Sequence, residues 1–266
     1  MSGTVAAALV LGCDPPALAP WSVCARIEAP PIAECSGMVR SRRHAGVYWV
    51  HNDSGDPARL FAIDAAGRLR REVRVDGAEN VDWEDLTTDD AGRLYLGDFG
   101  NNRNTRRDLA VYVIAEPEPG NDPAGEPLHV PVLRRLAFRF PEQTAFPDPD
   151  RLDFDCEAMY WRAGRLYLLT KHRSDARTVL YRLDPEAPGE QAATRLGDLD
   201  VGSPVTAADC SPDGSLVAVL SYQYLDLFAS PASLENVLAG SRHRVLIEGR
   251  QCEAVCFDGD RVRFAN

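Results

Sequence analysis

Residues Trp83–Asn104, WEDLTTDDAGRLYLGDFGNNRN, decide the fold. Within them the turn signal DDAGR precedes a short apolar run, Leu94-Tyr95-Leu96, which ends in a dense set of short polar side chains. Gly and Asp at that spacing mark a β-hairpin, with the apolar run as its second strand. The pattern recurs. Val47–Val50 follows RRHAG, Leu166–Leu169 follows RAGR, Leu216–Leu220 follows SPDGS and Val262–Ala265 follows FDGDR, so the chain carries five hairpins.

Behind most hairpins stands a third strand that ends in a turn, as in RLFAIDAAG, LAVYVIAEPEPG and TVLYRLDPEAPG. A fourth follows in RREVRV, PVLRRLAFRFP and QAATRLGDL. Helical periodicity is nearly absent, and four antiparallel strands repeated along a chain are the pattern of propeller blades. The expected fold class is therefore all-β, a five-bladed β-propeller forming a single domain over residues 1–266. The last copy stops at Asn266 after two strands, and the apolar runs Val5–Leu11 and Val23–Ile27 are placed to complete it and leave no open edge. A six-bladed ring is the alternative, with a degenerate blade inside the inserts Glu116–Pro131 and Gln143–Asp153.

The 266 residues are 45% hydrophobic and carry both charge signs, enough for a real core. Asp and Glu number 40 against 29 Lys and Arg, a net charge of -11, and no basic run is long enough to track a phosphate backbone. Nucleic acid is excluded as the expected partner, which is instead a small polar molecule or another protein. Among the 29 basic residues Lys171 alone is a lysine. The seven cysteines are scattered without a CxxC pair, so they read as small buried hydrophobes, and the i,i+4 pair Cys252 and Cys256 is a weak ligand set.

Val5–Gly12 followed by Cys13 has the outline of a lipoprotein signal, but a basic n-region is missing and the run is short. The run reads as a closure strand in a cytoplasmic, monomeric protein. Secretion or lipid anchoring at Cys13 is the alternative. No apolar run reaches membrane-spanning length.

Aligned on the hairpin glycines, Glu34, Glu84, Glu157 and Glu253 occupy one repeated place, with Thr206 or Ala207 in the fourth copy. In a propeller a repeated position becomes a ring. Like charges held that close share protons, meet cations or are answered by donors. The strand after each hairpin ends in a second polar set: His51-Asn52-Asp53-Ser54, Asp98 with Asn101 and Asn102, Lys171-His172, and Ser221-Tyr222. DFGNNRN is thus the second copy of a loop that appears first as HNDSG. Its kinase-like Asp-Phe-Gly has no glycine-rich loop, VAIK lysine or HRD segment beside it.

The segments WVHNDSG, GAENVDWEDLTTDDAGRLYLGDFGNNRNTRR, VYVIAEPEP, DFDCEAMYWRAGRLYLLTKH and VTAADCSPDG resemble the motifs of a family of largely uncharacterised bacterial propeller-like proteins, common in actinobacteria. The resemblance runs from about Glu34 to Asp226. It implies the propeller fold and no particular activity, and the secreted or lipid-anchored look of many relatives keeps the Cys13 alternative open.

Two classes of function fit these residues. In the first, Ca2+ or Mg2+ is held on the axis by Glu34, Glu84, Glu157 and Glu253, since hard cations prefer carboxylate oxygens. His51, Asp53, Asp98 and Lys171 are then the catalytic candidates for hydrolysis of a small phosphoester, lactone or sugar-like substrate, a carboxylate or His51 taking a proton from water and Lys171 steadying negative charge. Against this stands the plainer reading that each glutamate caps backbone N–H groups or pairs with an arginine such as Arg103. The second class is a non-catalytic ligand- or protein-binding module. For that class Tyr222 and Tyr224 are stacking candidates and the proline-rich insert part of a docking face. Trp49, Trp83 and Trp161 read as packing between blades.

Overall fold

The computed structural model describes residues 4–10, 21–148, 151–231, 233–247 and 251–266. Cys13 and its neighbours Leu11 and Gly12 lie outside the described residues.

Period-two patterning and glycine turns produce strands almost throughout. The first two are β1 (Thr4–Val10) and β2 (Ser22–Ile27). A first four-stranded unit follows in β3 (Gly37–Arg40), β4 (Val47–His51), β5 (Arg59–Asp64) and β6 (Leu69–Asp76). The second comprises β7 (Trp83–Thr88), β8 (Arg93–Asp98), β9 (Ala110–Ala115) and β10 (Leu128–Arg139), and the pairing of β10 with β6 joins these two units in one continuous sheet. The third is β11 (Asp155–Arg162), β12 (Arg165–Lys171), β13 (Arg177–Leu183) and, after the two-residue β14 (Gln191–Ala192), β15 (Thr194–Asp200). The fourth is β16 (Val205–Cys210), β17 (Leu216–Ser221), β18 (Tyr224–Ala229) and β19 (Ser241–Leu246). The hairpin β20 (Ala254–Asp258) and β21 (Arg261–Ala265) ends the chain, and β1 pairs with both β21 and β2 to give a sheet in the order β2-β1-β21-β20. The architecture is an all-β propeller. Among the described residues no helix is long and apolar enough to cross a membrane.

The innermost strands lie side by side, β3 against β7, β7 against β11, β11 against β16, β16 against β20, and β20 back against β3. They are the most buried: every residue of β7 and β11 is buried, while outer β15 and β19 are mostly exposed or half-buried. Trp49 and Trp83 share one apolar core between the first two units, and Trp161 joins the next core with Tyr95 and Phe138. The insert Glu116–Pro131 ends in a strand start, because Leu128–Pro131 opens β10 and pairs in parallel with β6 of the preceding unit.

Side chains tie inner strands of different units together. Asp85 Oδ2 accepts the backbone N–H of Met159 at 2.7 Å and of Ala208 at 3.1 Å, reaching two other units. Thr87 Oγ1 accepts from Trp161 N–H, and Asp209 Oδ2 from Phe257 N–H at 2.8 Å. Buried backbone donors need acceptors, and these short side chains supply them where the strands diverge.

Candidate functional site at one mouth of the propeller

The inner strands begin, and the second strands end, at the same mouth. Register explains which residues reach it. Pairing slips by one residue at Glu84 in β7, at Glu157 in β11 and at Thr206 in β16, so each of these is the extra residue of a β-bulge. Such a residue is freed from the ladder and re-aimed. Of the two residues left open for the fourth copy, Thr206 holds the bulge, and its hydroxyl donates to the Cys252 carbonyl at 2.7 Å.

In the first unit the position differs from the sequence alignment. Gly37 pairs with His51 as Asp85 pairs with Gly97, so Ser36 holds the place of Glu84, and Glu34 falls two residues earlier, in register with Asp82. The motif glutamates alone are offset by two.

Three carboxylates converge at the second unit: Asp53, Asp82 and Glu84 each offer an oxygen within 4.8 Å of the others. A second set, Glu84, Asp155 and Glu157, meets the same criterion, so Glu84 belongs to both. Glu84 is 6% exposed, and the lysine and arginine beside it pair with its neighbours Glu157 and Asp155. Burial first, then Glu157, Asp53, Asp155 and Asp82, hold its carboxyl well above the usual range. Asp82 is pushed up to about 6 by burial and by the Asp53 and Asp155 charges, against weaker lowering by Arg106 and Ser54.

The second set is answered by protein cations. Lys171 Nζ lies 3.0 Å from Glu157 Oε2, and Arg173 Nη2 lies 2.6 Å from Asp155 Oδ2 and 3.5 Å from Glu157 Oε1. Asp155 also accepts the Asn101 N–H at 2.7 Å. Burial and Asp155 raise the Glu157 carboxyl more than Lys171 lowers it, and although burial opposes the Lys171 charge, Glu157 and Tyr222 hold its ammonium above the usual range. The Lys171 ammonium stands 4.9 Å from the centre of the Tyr222 ring.

The other candidates lie around this centre. Glu34 is exposed, its carboxyl raised by burial and by the charges of Glu253 and Asp53; Glu253 is half-buried and accepts a hydrogen bond from Gln251. Neither joins the two carboxylate sets found among the described residues. Asp98 is buried, accepts the Asp82 N–H at 3.0 Å and pairs with Arg106 at 3.1 Å. His51 is fully buried, with Nδ1 2.9 Å from the Asn52 carbonyl and its ring edge-on to Trp83; burial lowers its basicity. The arginines that form ion pairs at this mouth are Arg106, with Asp98, and Arg173, with Asp155.

The DFGNNRN loop shapes the carboxylate centre. Gly100 packs against Asp82 and Glu84, and a Cβ there would stand 2.5 Å from Asp82 Oδ2 and closer still to Glu84 Oε1. Asn101 and Asn104 then knit the loop to the next unit, Asn101 Nδ2 donating to the Phe154 carbonyl and Asn104 Oδ1 accepting the Phe154 N–H.

No protein-family model matches the chain, and no curated protein matches its sequence. Among solved structures, the major allergen Mala s 1 of Malassezia sympodialis is similar with a TM-score of 0.51 and 11% identity, over 87% of this chain and 92% of that one. A gluconolactonase from Xanthomonas campestris, XC5397, gives a TM-score of 0.47 and 12% identity, over 92% of this chain and 74% of that one. The first likeness is one of fold.

Sequence reasoning missed Asp82, Asp155, Arg173 and Asp85. A signal for two of them was present: VDWEDL and FDCEAM both carry Asp two residues before the bulged glutamate. In an extended strand that spacing returns a side chain to the same face.

Proposed function

We propose that this mouth binds a divalent cation, Ca2+ or Mg2+, through Asp53, Asp82 and Glu84, and that the protein hydrolyses a small phosphoester, lactone or sugar-like substrate there. The same reading takes the three four-stranded sheets as three blades and the two halves of the nine-stranded sheet, joined through β6 and β10, as two more.

One observation carries it. Glu84 is buried among four other carboxylates, while Lys171 and Arg173 pair with its neighbours Glu157 and Asp155. Such a group holds a proton or meets a cation, and oxygen-only donors suit a hard divalent ion. Gly100 fits this reading, since the absence of its side chain keeps open the space beside Asp82 and Glu84.

A bound divalent ion would polarise a substrate carbonyl or phosphoryl oxygen. The chain's own residues supply the rest. Asp53, half-buried at the lip, is placed to accept a proton from the attacking water. Lys171, fixed by Glu157, and Arg173, fixed by Asp155, steady the negative charge that develops on the substrate. Asp98 orients the centre by holding the Asp82 backbone, and His51 by holding the end of β4.

A display module would instead carry a contiguous exposed apolar patch. Among the described residues the exposed large hydrophobics Val23, Val81, Leu133, Leu152 and Leu246 are dispersed over separate strands and loops. The test is a hydrolysis screen of lactones and phosphoesters with Ca2+ or Mg2+ and with chelator. Turnover that needs the ion and is lost in K171M supports the reading; turnover unchanged by chelator refutes it.

A further inference from the structure

The two carboxylate sets joined at Glu84 differ in one respect. Asp53 and Asp82 meet Glu84 with no lysine or arginine among the described residues paired to any of the three, whereas Asp155 and Glu157 meet it with Arg173 and Lys171 already bound. Two oxygen triads sharing a carboxylate are the donor set of a two-ion centre. Here protein cations stand in one half of it.

Lys171 is built into that half. Asp155 and Lys171 are directly opposed in the β11–β12 ladder, so backbone register fixes the lysine beside the triad. Its side chain is 5% exposed and its ammonium is flanked by Glu157 and by the Tyr222 ring of the next unit. Composition adds an independent argument. Of 29 basic residues, 28 are arginine, and the one lysine falls here. An ammonium is a compact point charge with radial donors, closer to a bare cation than the planar guanidinium fork is.

We propose that the Lys171 ammonium at Glu157, with Arg173 at Asp155, takes the charge role of a second divalent ion and keeps one from binding at Glu84, Asp155 and Glu157, so that the mouth holds one divalent ion beside one fixed ammonium. This rests on the reading of the Asp53, Asp82 and Glu84 set as a cation site. Its consequence concerns the substrate. A reacting group that becomes anionic is met by a metal on one side and by an N–H donor on the other, and the donor can follow the charge without exchanging ligands.

The test counts ions. Chelator-treated native protein, K171M and K171R are equilibrated by dialysis against Ca2+ and, separately, Mg2+, and bound metal per chain is measured by elemental analysis alongside far-UV circular dichroism. The expected result is one ion for native protein and K171R and two for K171M. Should K171M fail to fold, R173Q decides: freeing Asp155 and weakening the cation pair is expected to admit the second ion. Two ions on native protein, or a single ion on the folded charge-removal variant, overturns the role of Lys171 and leaves the first cation site standing. No ion on native protein sinks both.

Discussion

Gly100 sits directly against the Glu84 carboxylate, in a loop that begins two residues earlier with Asp98 holding the backbone of Asp82. The absence of one Cβ thus leaves the carboxylate centre its shape. Substituting G100A forces Asp82 and Glu84 apart while the sheet around them stays paired. The expected outcome is Ca2+ or Mg2+ affinity weaker by about 10- to 100-fold with unchanged circular dichroism, the loss typical when the support of a ligand is disturbed. Titration calorimetry checks it.

Gly37 plays a comparable part for His51. A Cβ at Gly37 would stand 2.9 Å from the His51 Cδ2 and closer to Nε2, with the ring held between Gly37 and Trp83. G37A is expected to destabilise by about 1–3 kcal/mol through overpacking. Combining it with H51A removes the clash, so the double variant should lose less than the sum of the single losses. Chemical denaturation of the four proteins measures the cycle.

Asp85 supplies acceptors for N–H groups of two other units. D85A leaves both unsatisfied at a cost of about 1–3 kcal/mol each, whereas D85N keeps one acceptor oxygen and loses less. The ordering native, D85N, D85A in denaturation midpoint is the expectation.

Asp209, at the far end of β16, gives a pH signature. Burial pushes its carboxyl from an ordinary value near 3.8 up to about 7. The folded state therefore binds this proton more tightly than the unfolded chain, and the contribution to stability is full below about 3.8 and declines as pH rises towards 7. The slope for one such group is at most about 1.4 kcal/mol per pH unit. D209N is expected to remove this part of the decline between pH 4 and 7, as read by thermal midpoints across that window.

Strand number and hairpin positions were legible because glycine and aspartate turns and apolar runs are local signals, and the N-terminal strands because the last hairpin lacked partners. The carboxylate centre was legible only in part. Glu84 and Glu157 stood out as repeated residues, yet bulges decide which residue is re-aimed, and a bulge is a property of two paired strands rather than of one motif. For that reason Glu34 aligned with them by eye while Ser36 holds the equivalent register. Asp85 was hidden for another reason: its partners, Met159 and Ala208, are 74 and 123 residues away in sequence.

The proposed cation site joins Glu84, Asp82 and Asp53. The most direct measurement is calorimetric titration of chelator-treated native protein and E84Q with Ca2+ and with Mg2+. Native protein is expected to bind one ion saturably, and E84Q to bind it at least about tenfold more weakly. Absence of binding of either ion to native protein, or equal affinity in the two proteins, would contradict this site.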